Sequence, residues 1–183
     1  MTTLIQILLV LLFLAVMPLA SATDWKPDPN DDRQLAAAHE IERMLATKPE
    51  LRKYFDEAHG YAIFPAIWRI AAGFGLVFGR GFVIEQGQLT GVTNQVKGAL
   101  GFDYGMQYHS QIIFFQNEET MNEFKTAGWE FDGRGSAVLI TAGLSGDPGY
   151  KSDVAIFSRT RGGLMIELAV HAGRYFFTPL KTG

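Results

Sequence analysis

The chain contains no cysteine. That excludes disulfide frameworks, thiol catalysis, cysteine-ligated zinc and iron–sulfur clusters. It also excludes the lipid-modified cysteine of a bacterial lipoprotein. Glycine is missing from the first 59 residues, and all 20 glycines lie from Gly60 onward. Interior glycine costs a helix roughly 1 kcal/mol relative to alanine. The first part of the chain is therefore helix-compatible, and a structural boundary is expected near residue 60. An excess of positive charge is also missing. Sixteen Lys+Arg face 19 Asp+Glu, a net charge of −3, which argues against a nucleic-acid partner. What is present is a folded-domain composition: 183 residues, 48% hydrophobic and 19% charged, with 14 phenylalanines. This suits one domain, or at most two small ones, rather than a disordered chain.

Residues 1–22 carry no Lys or Arg. The apolar run Leu4 to Val16, broken only by Gln6, precedes Pro18 and the small-x-small pattern Ala20-Ser21-Ala22. This pattern predicts an export signal over 1–22, cleaved after Ala22. An uncleaved anchor is the alternative, but the run falls short of the ~20 residues that span a bilayer. The mature protein is expected to be soluble and exported, either periplasmic or secreted.

Residues 23–30 hold two prolines and read as a linker. Residues 31–183 then read as a single domain, with a helical lead-in over 31–59 and a β core over 60–183. Asp31 with Gln34 makes a capping box. Leu35, Ala38, Ile41, Met44 and Leu45 form an apolar stripe at helical spacing. Thr47 to Glu50 reads as a second capping box, with Pro49 tolerated in the first turn. Leu51, Tyr54, Phe55 and Ala58 mark one face of a short helix. Residues 31–59 carry seven acidic and five basic side chains. These helices are therefore expected to pack on the domain rather than lie on an anionic membrane.

Beyond Gly60 the pattern changes to β. Tyr61 to Phe64 reads as a short strand ending at Pro65. In residues 71–84, Gly73, Gly75, Gly79 and Gly81 alternate with Phe74, Leu76, Phe78 and Arg80. A strand with glycine on one face is expected to press that face against another backbone, a ring or a bend. Gly87 and Gly91 bracket the next turn. Residues 99–115 supply one or two further strands. Asn117 caps a helix over 118–127 with Met121 and Phe124 inward. Residues 136–143, 153–158, 163–170 and 174–178 complete the strand candidates, with a loop over 145–149. Short strands with glycine-rich turns predict an antiparallel core, either sandwich or barrel-like.

Catalytic and metal motifs are not found. The glycines at 73, 75 and 79 miss the dinucleotide-loop spacing by one residue and continue as strand. Ser145 lacks a nucleophile-elbow frame. His39, His59, His109 and His171 are scattered without metal-ligand spacing. Glu85, Asp103, Asp132 and Glu167 offer no spacing that selects a carboxylate pair. No metal, cofactor or catalytic residue is assigned. Among the cations, Arg69 and Arg80 flank the glycine strand. Arg159 and Arg161 alternate on one face of an extended segment, where they are either solvated or a phosphate clamp.

The stretch from Tyr61 to Leu180 resembles the SYLF lipid-binding domain family. The resemblance is carried by Tyr61-Ala-Ile-Phe64-Pro65, then Gly73-Phe-Gly75 through Gly79-Arg-Gly81, then Gly101 to Gln107. A last match is the run Phe157-Ser158-Arg-Thr-Arg-Gly162-Gly163-Leu164. In this resemblance Phe64, Pro65, Gly73, Gly75, Gly79, Gly81, Ser158 and Gly163 are structural motif positions. It implies an α+β domain with an antiparallel β core and flanking helices. It also implies non-enzymatic association with an anionic lipid or membrane surface in the cell envelope. The lead-in helices depart from the basic helix by which some relatives bind phosphoinositides. Headgroup contact is expected from Lys48, Arg52 and Lys53, or from Arg159 and Arg161. The alternatives are an envelope structural protein that binds a protein partner through exposed aromatics such as Trp68 or Trp129, and a hydrolase whose site assembles only in three dimensions.

Overall fold

The computed structural model describes residues 25–126, 129–130, 136–139, 150, 153–160 and 174–180. Helix α1 (Asp32–Thr47) is followed by a 3-10 turn (Pro49–Leu51) and helix α2 (Arg52–Glu57). Two long strands come next, β1 (Gly60–Glu85) and β2 (Gln88–Phe115), then helix α3 (Glu118–Lys125). Strands β3 (Trp129–Glu130), β4 (Ser136–Leu139), β5 (Val154–Thr160) and β6 (Arg174–Pro179) complete the described elements. The fold is α+β with an antiparallel sheet as its core. Among the described strands only β4 and β5 pair in parallel.

The β1–β2 hairpin organises everything else. Its turn places Gln86 at φ 48° and Gly87 at φ 76°, the signs of a type I′ turn, whose twist matches that of the strands. β1 runs along one edge of β2 for nearly its whole length. On the other edge, β6 pairs with Gly91–Val96 and β5 with His109–Phe115. A straight strand of 26 residues would be about 90 Å long. Instead the hairpin doubles on itself, and the glycine face makes this possible. A Cβ on Gly81 would lie 2.6 Å from the Ile63 carbonyl oxygen and 2.8 Å from Phe64 Cδ1. One on Gly79 would lie 2.7 Å from Ile67 Cγ1. The end of β1 thus rests against its own beginning, and the Gln86 N–H donates to the His59 carbonyl at 3.2 Å.

Several sequence expectations change here. The strand that Pro65 was expected to end continues through it. Pro65 falls in a register irregularity between Phe64 and Ile67, where a missing N–H is tolerated. Residues 61–64 and 71–84 are one strand, and 99–115 is the second half of β2. Gly91 lies inside β2 rather than beside the turn, and a Cβ there would meet the Phe177 ring at 2.4 Å. Thr47 does not cap a second helix. It is the last residue of α1, and its hydroxyl donates to the Arg43 carbonyl at 2.8 Å, the back-bonding open to Ser and Thr. The first cap forms as expected, with Asp31 accepting from the N–H groups of Arg33 and Gln34. The Gln34 side chain, however, accepts from Asp28 N–H at 2.9 Å rather than from Asp31. Asn117 caps α3 through the Thr120 N–H at 2.9 Å, with Met121 and Phe124 buried. The strand candidate at 163–170, the loop at 145–149 and residues 140–143 lie outside the described residues, as do 1–24.

Two apolar clusters hold these layers. One joins the halves of the hairpin, with Ala62, Phe64, Ile67, Val83, Ile113 and Phe115 packed with Met121 and Phe124 of α3. The other lies under α1 and α2, where Met44, Leu51, Tyr54 and Phe55 meet Tyr61, Ile63, Phe82, Phe114 and Phe157. Phe55 meets Phe114 edge-on at 4.8 Å, and Tyr54 meets Phe157 edge-on at 4.8 Å. Each such fully buried ring contributes about 1.5–3 kcal/mol. Among the described residues no helix is long and apolar enough to cross a membrane.

Candidate functional site: an arginine-rimmed groove and an apolar sheet face

The buried stripe of α1 is centred on Ala37, Glu40 and Met44, with Ala38, Ile41 and Leu45 partly buried beside it. A carboxylate in such a stripe needs partners, because burying it alone is costly. Arg159 on β5 supplies them, with Nε at 2.6 Å from Oε1 and Nη2 at 2.7 Å from Oε2 of Glu40. The Ser110 hydroxyl donates to the same carboxylate at 2.5 Å. The hydrogen bond to Glu40 outweighs burial and raises the Arg159 pKa further above its ordinary value. Arg159 is therefore neither simply solvated nor held open as a phosphate clamp: its guanidinium is engaged by Glu40 and anchors α1. Arg161, expected to work beside it, lies outside the described residues.

Docking α1 in this way leaves a groove of about 690 Å3 beside it. From α1 come Arg33, Ala36, His39, Glu40 and Arg43; from the first half of β1, Pro65, Ala66 and Trp68. From the second half of β1 come Phe78, Arg80 and Phe82, and from β2, Tyr108. Trp68 and Tyr108 are cross-strand partners with rings stacked at 5.1 Å and 25°. The wall is thus aromatic and the rim cationic. Arg33 is held by Asp31 at 3.2 Å, and that hydrogen bond is the main cause that lowers the Asp31 pKa to about 2. Arg43 stands 3.6 Å from Glu40, whose two oxygens already accept from Arg159. Arg80 is exposed.

Beyond Arg80 the groove opens onto the outer face of the sheet. Leu76, Phe78, Val96 and Phe176 are 46%, 40%, 43% and 42% exposed. Phe78 is directly opposite Val96, Val96 opposite Arg174, and Asn94 opposite Phe176. Buried Val77, Gly79, Thr93 and Gln95 alternate with them on the inner side. Toward the middle of the hairpin, the cross-strand pair Ile70 and Met106 is also exposed.

The other residues singled out from sequence are placed as follows. Lys48 lies over the Phe157 ring at 5.9 Å and Lys53 over Tyr54 at 5.0 Å, while Arg52 is exposed. These cations edge the α2 aromatic cluster and do not line the groove. Phe64 and Gly75 are buried, Pro65 lines the groove, and Gly73 lies in β1. Ser158 is buried and accepts from Gln111 Nε2 at 3.1 Å. Gly163 lies outside the described residues, as do His171, Asp132 and Glu167. Trp68 is half-buried in the groove rather than fully exposed; Trp129 is in β3. Glu85 accepts from His59 at 2.9 Å and forms an ion pair with Lys125. Burial alone would raise its pKa, but the hydrogen bonds and charges of Lys125 and His59 outweigh that and lower it. Among the described residues, no group of three or more His, Asp and Glu comes together.

Sequence reasoning missed Glu40, Arg43, Arg33 and Tyr108. The signal available was a glutamate at the centre of an apolar stripe. It also missed a buried polar layer inside the hairpin, where Thr93 Oγ1, Gln95 Oε1 and Gln111 Oε1 have no hydrogen-bond partner among the described residues.

No protein-family model matches the chain. The chain is 23% identical over 139 residues to Beta cell expansion factor A of Aeromonas veronii. That alignment covers 73% of this chain and 51% of the relative, so the chain spans about half the length of that protein.

Proposed function

We propose that this protein is a non-enzymatic module of the cell envelope that associates peripherally with lipid or membrane surfaces. The observation that carries the reading is the outer sheet face, where Leu76, Phe78, Val96 and Phe176 are exposed together with Arg80 and Arg174. Contiguous exposed apolar side chains edged by polar residues mark interaction sites. Arginine beside them suits an interface where apolar groups meet anionic headgroups. The resemblance to the SYLF family and the expected export signal support the same reading. An exported chain with this face meets envelope lipid before it meets cytosolic partners.

The test is co-sedimentation of the purified protein with vesicles of phosphatidylglycerol and phosphatidylcholine, against phosphatidylcholine alone. Binding to the anionic vesicles that weakens as salt rises is expected. The absence of binding to either at low salt sinks the reading. The same face also supports an envelope interaction protein; that alternative predicts self-association or a captured envelope partner without vesicle binding.

A further inference from the structure

We propose that the groove beside α1 binds a single amphipathic anion as a free molecule, its apolar body against the aromatic wall and its charged head on Arg43 and Arg80. This goes beyond the membrane contact above, because the groove adds α1, Trp68 and Tyr108 to the Phe78 and Arg80 that it shares with the outer face.

Volume, wall chemistry and charge all suit such a ligand. At about 690 Å3 the groove falls within the ~300–1,000 Å3 typical of small-molecule sites. Its wall is formed by Trp68, Tyr108, Phe78 and Phe82. Trp68 and Tyr108 are already stacked face to face, so a flat apolar surface exists before any ligand arrives. Such preorganisation lowers the cost of binding. The charges around the groove do not cancel. Arg33 is paired with Asp31, and Glu40 is paired with Arg159. Arg43 shares Glu40 with Arg159, at 3.6 Å, so the four guanidinium groups of Arg33, Arg43, Arg80 and Arg159 face only the two carboxylates of Asp31 and Glu40. The Glu40 oxygens near Arg43 already accept from Arg159. Arg80 is exposed and has no ion-pair partner among the described residues. This net positive charge beside an aromatic wall selects against a neutral apolar ligand and for one with an anionic head. Guanidinium groups match phosphate and carboxylate oxygens in particular.

The probe is decyl phosphate below its micelle concentration, titrated into the full protein by calorimetry while tryptophan emission is followed. Inorganic phosphate and decanol are the two halves of the probe run separately. Saturable binding of decyl phosphate is expected, with a change in emission from Trp68 and weaker binding of either half. Ala36 is exposed on α1 and lines the groove, so Ala36→Trp fills the site without entering the core. It is expected to abolish decyl phosphate binding while leaving the anionic-vesicle binding of the outer face in place. Arg80→Gln and Arg43→Gln are each expected to weaken decyl phosphate by about tenfold, and decanol little. Absence of binding by the folded wild type overturns the proposal, as does binding that Ala36→Trp leaves unchanged. Ala36→Trp abolishing vesicle binding, with no decyl phosphate binding by the wild type, also overturns it. The groove would then hold a bilayer headgroup, not a free molecule.

Discussion

Glu40 and Arg159 stand 119 residues apart in sequence and form a two-point ion pair, 2.6 and 2.7 Å, between α1 and β5. Glu40 is 2% exposed, so the pair cannot be treated as a surface salt bridge of small worth. It fixes the one helix that forms the side of the groove, and the groove exists only while α1 is docked.

Removing one partner is therefore expected to cost more than removing both. Glu40→Ala leaves Arg159 half-buried and uncompensated, and is expected to destabilise the fold by about 3–5 kcal/mol. In the double variant Glu40→Met with Arg159→Met most of that loss is recovered. Ser110 keeps a partner there, because its hydroxyl also donates to the Arg159 backbone carbonyl at 3.2 Å. Urea unfolding of the three proteins checks the order. A double variant less stable than Glu40→Ala contradicts it.

The two faces of the hairpin glycines should respond differently. Gly81→Ala places a Cβ 2.6 Å from the Ile63 carbonyl and is expected to destabilise by about 1–3 kcal/mol. Gly98→Ala meets nothing within 4 Å and is expected to be neutral or slightly stabilising, because it reduces the entropy lost on folding. Thermal melts read the difference, at about 2–4 °C per kcal/mol for a chain of this size. Equal melting points would remove the close contact of the two halves of β1 from the account.

This doubling is the part of the fold least legible in the sequence. Alternation of glycine with Leu76, Phe78 and Arg80 shows that one face of the strand must meet something close. It does not show that the partner is the same strand 18 residues earlier, Gly81 on Ile63. Pro65 reads as a terminator because local pattern cannot tell a bulge from a strand end. α3 is legible because its cap, Asn117, and its buried Met121 and Phe124 lie within eight positions of one another, although the helix ends at Lys125 rather than at 127. The groove is less so. Its parts come from α1, both halves of β1 and Tyr108, and only the doubled hairpin brings them together. Charge pattern likewise points to Lys48, Arg52 and Lys53 as cations, but not to Arg43 and Arg80 as the ones beside an aromatic wall.

Acid should loosen the base of the hairpin. Glu85 joins β1 to His59 and, through Lys125, to α3, and its pKa is held below the ordinary 4.5. A carboxylate depressed in the folded state stabilises the fold above its unfolded pKa. That contribution is lost as pH falls from about 4.5 through the folded value. Wild type should therefore lose more stability between pH 5 and pH 3 than Glu85→Gln does, as read by urea midpoints at the two pH values. Parallel losses would show that the Glu85 node carries no such linkage.

The turn at the same end offers a gain. Gln86 sits at φ 48°, where Asn is tolerated better than Gln. Gln86→Asn is expected to stabilise by a few tenths of a kcal/mol, roughly 0.5. Gly87→Ala, at φ 76°, is expected to destabilise by about 1 kcal/mol. Chemical denaturation with a shared slope checks both signs.

The central claim is that the outer sheet face meets anionic lipid. Leu76 and Val96 are exposed on that face and do not line the groove, so Leu76→Asp and Val96→Asp test it from outside the groove lining and the core. The most direct measurement is vesicle co-sedimentation of wild type and these variants at low salt, with far-ultraviolet circular dichroism confirming the fold. The account predicts binding of wild type to anionic vesicles and a loss of about tenfold or more in each variant. Variants that bind as tightly as wild type would contradict it.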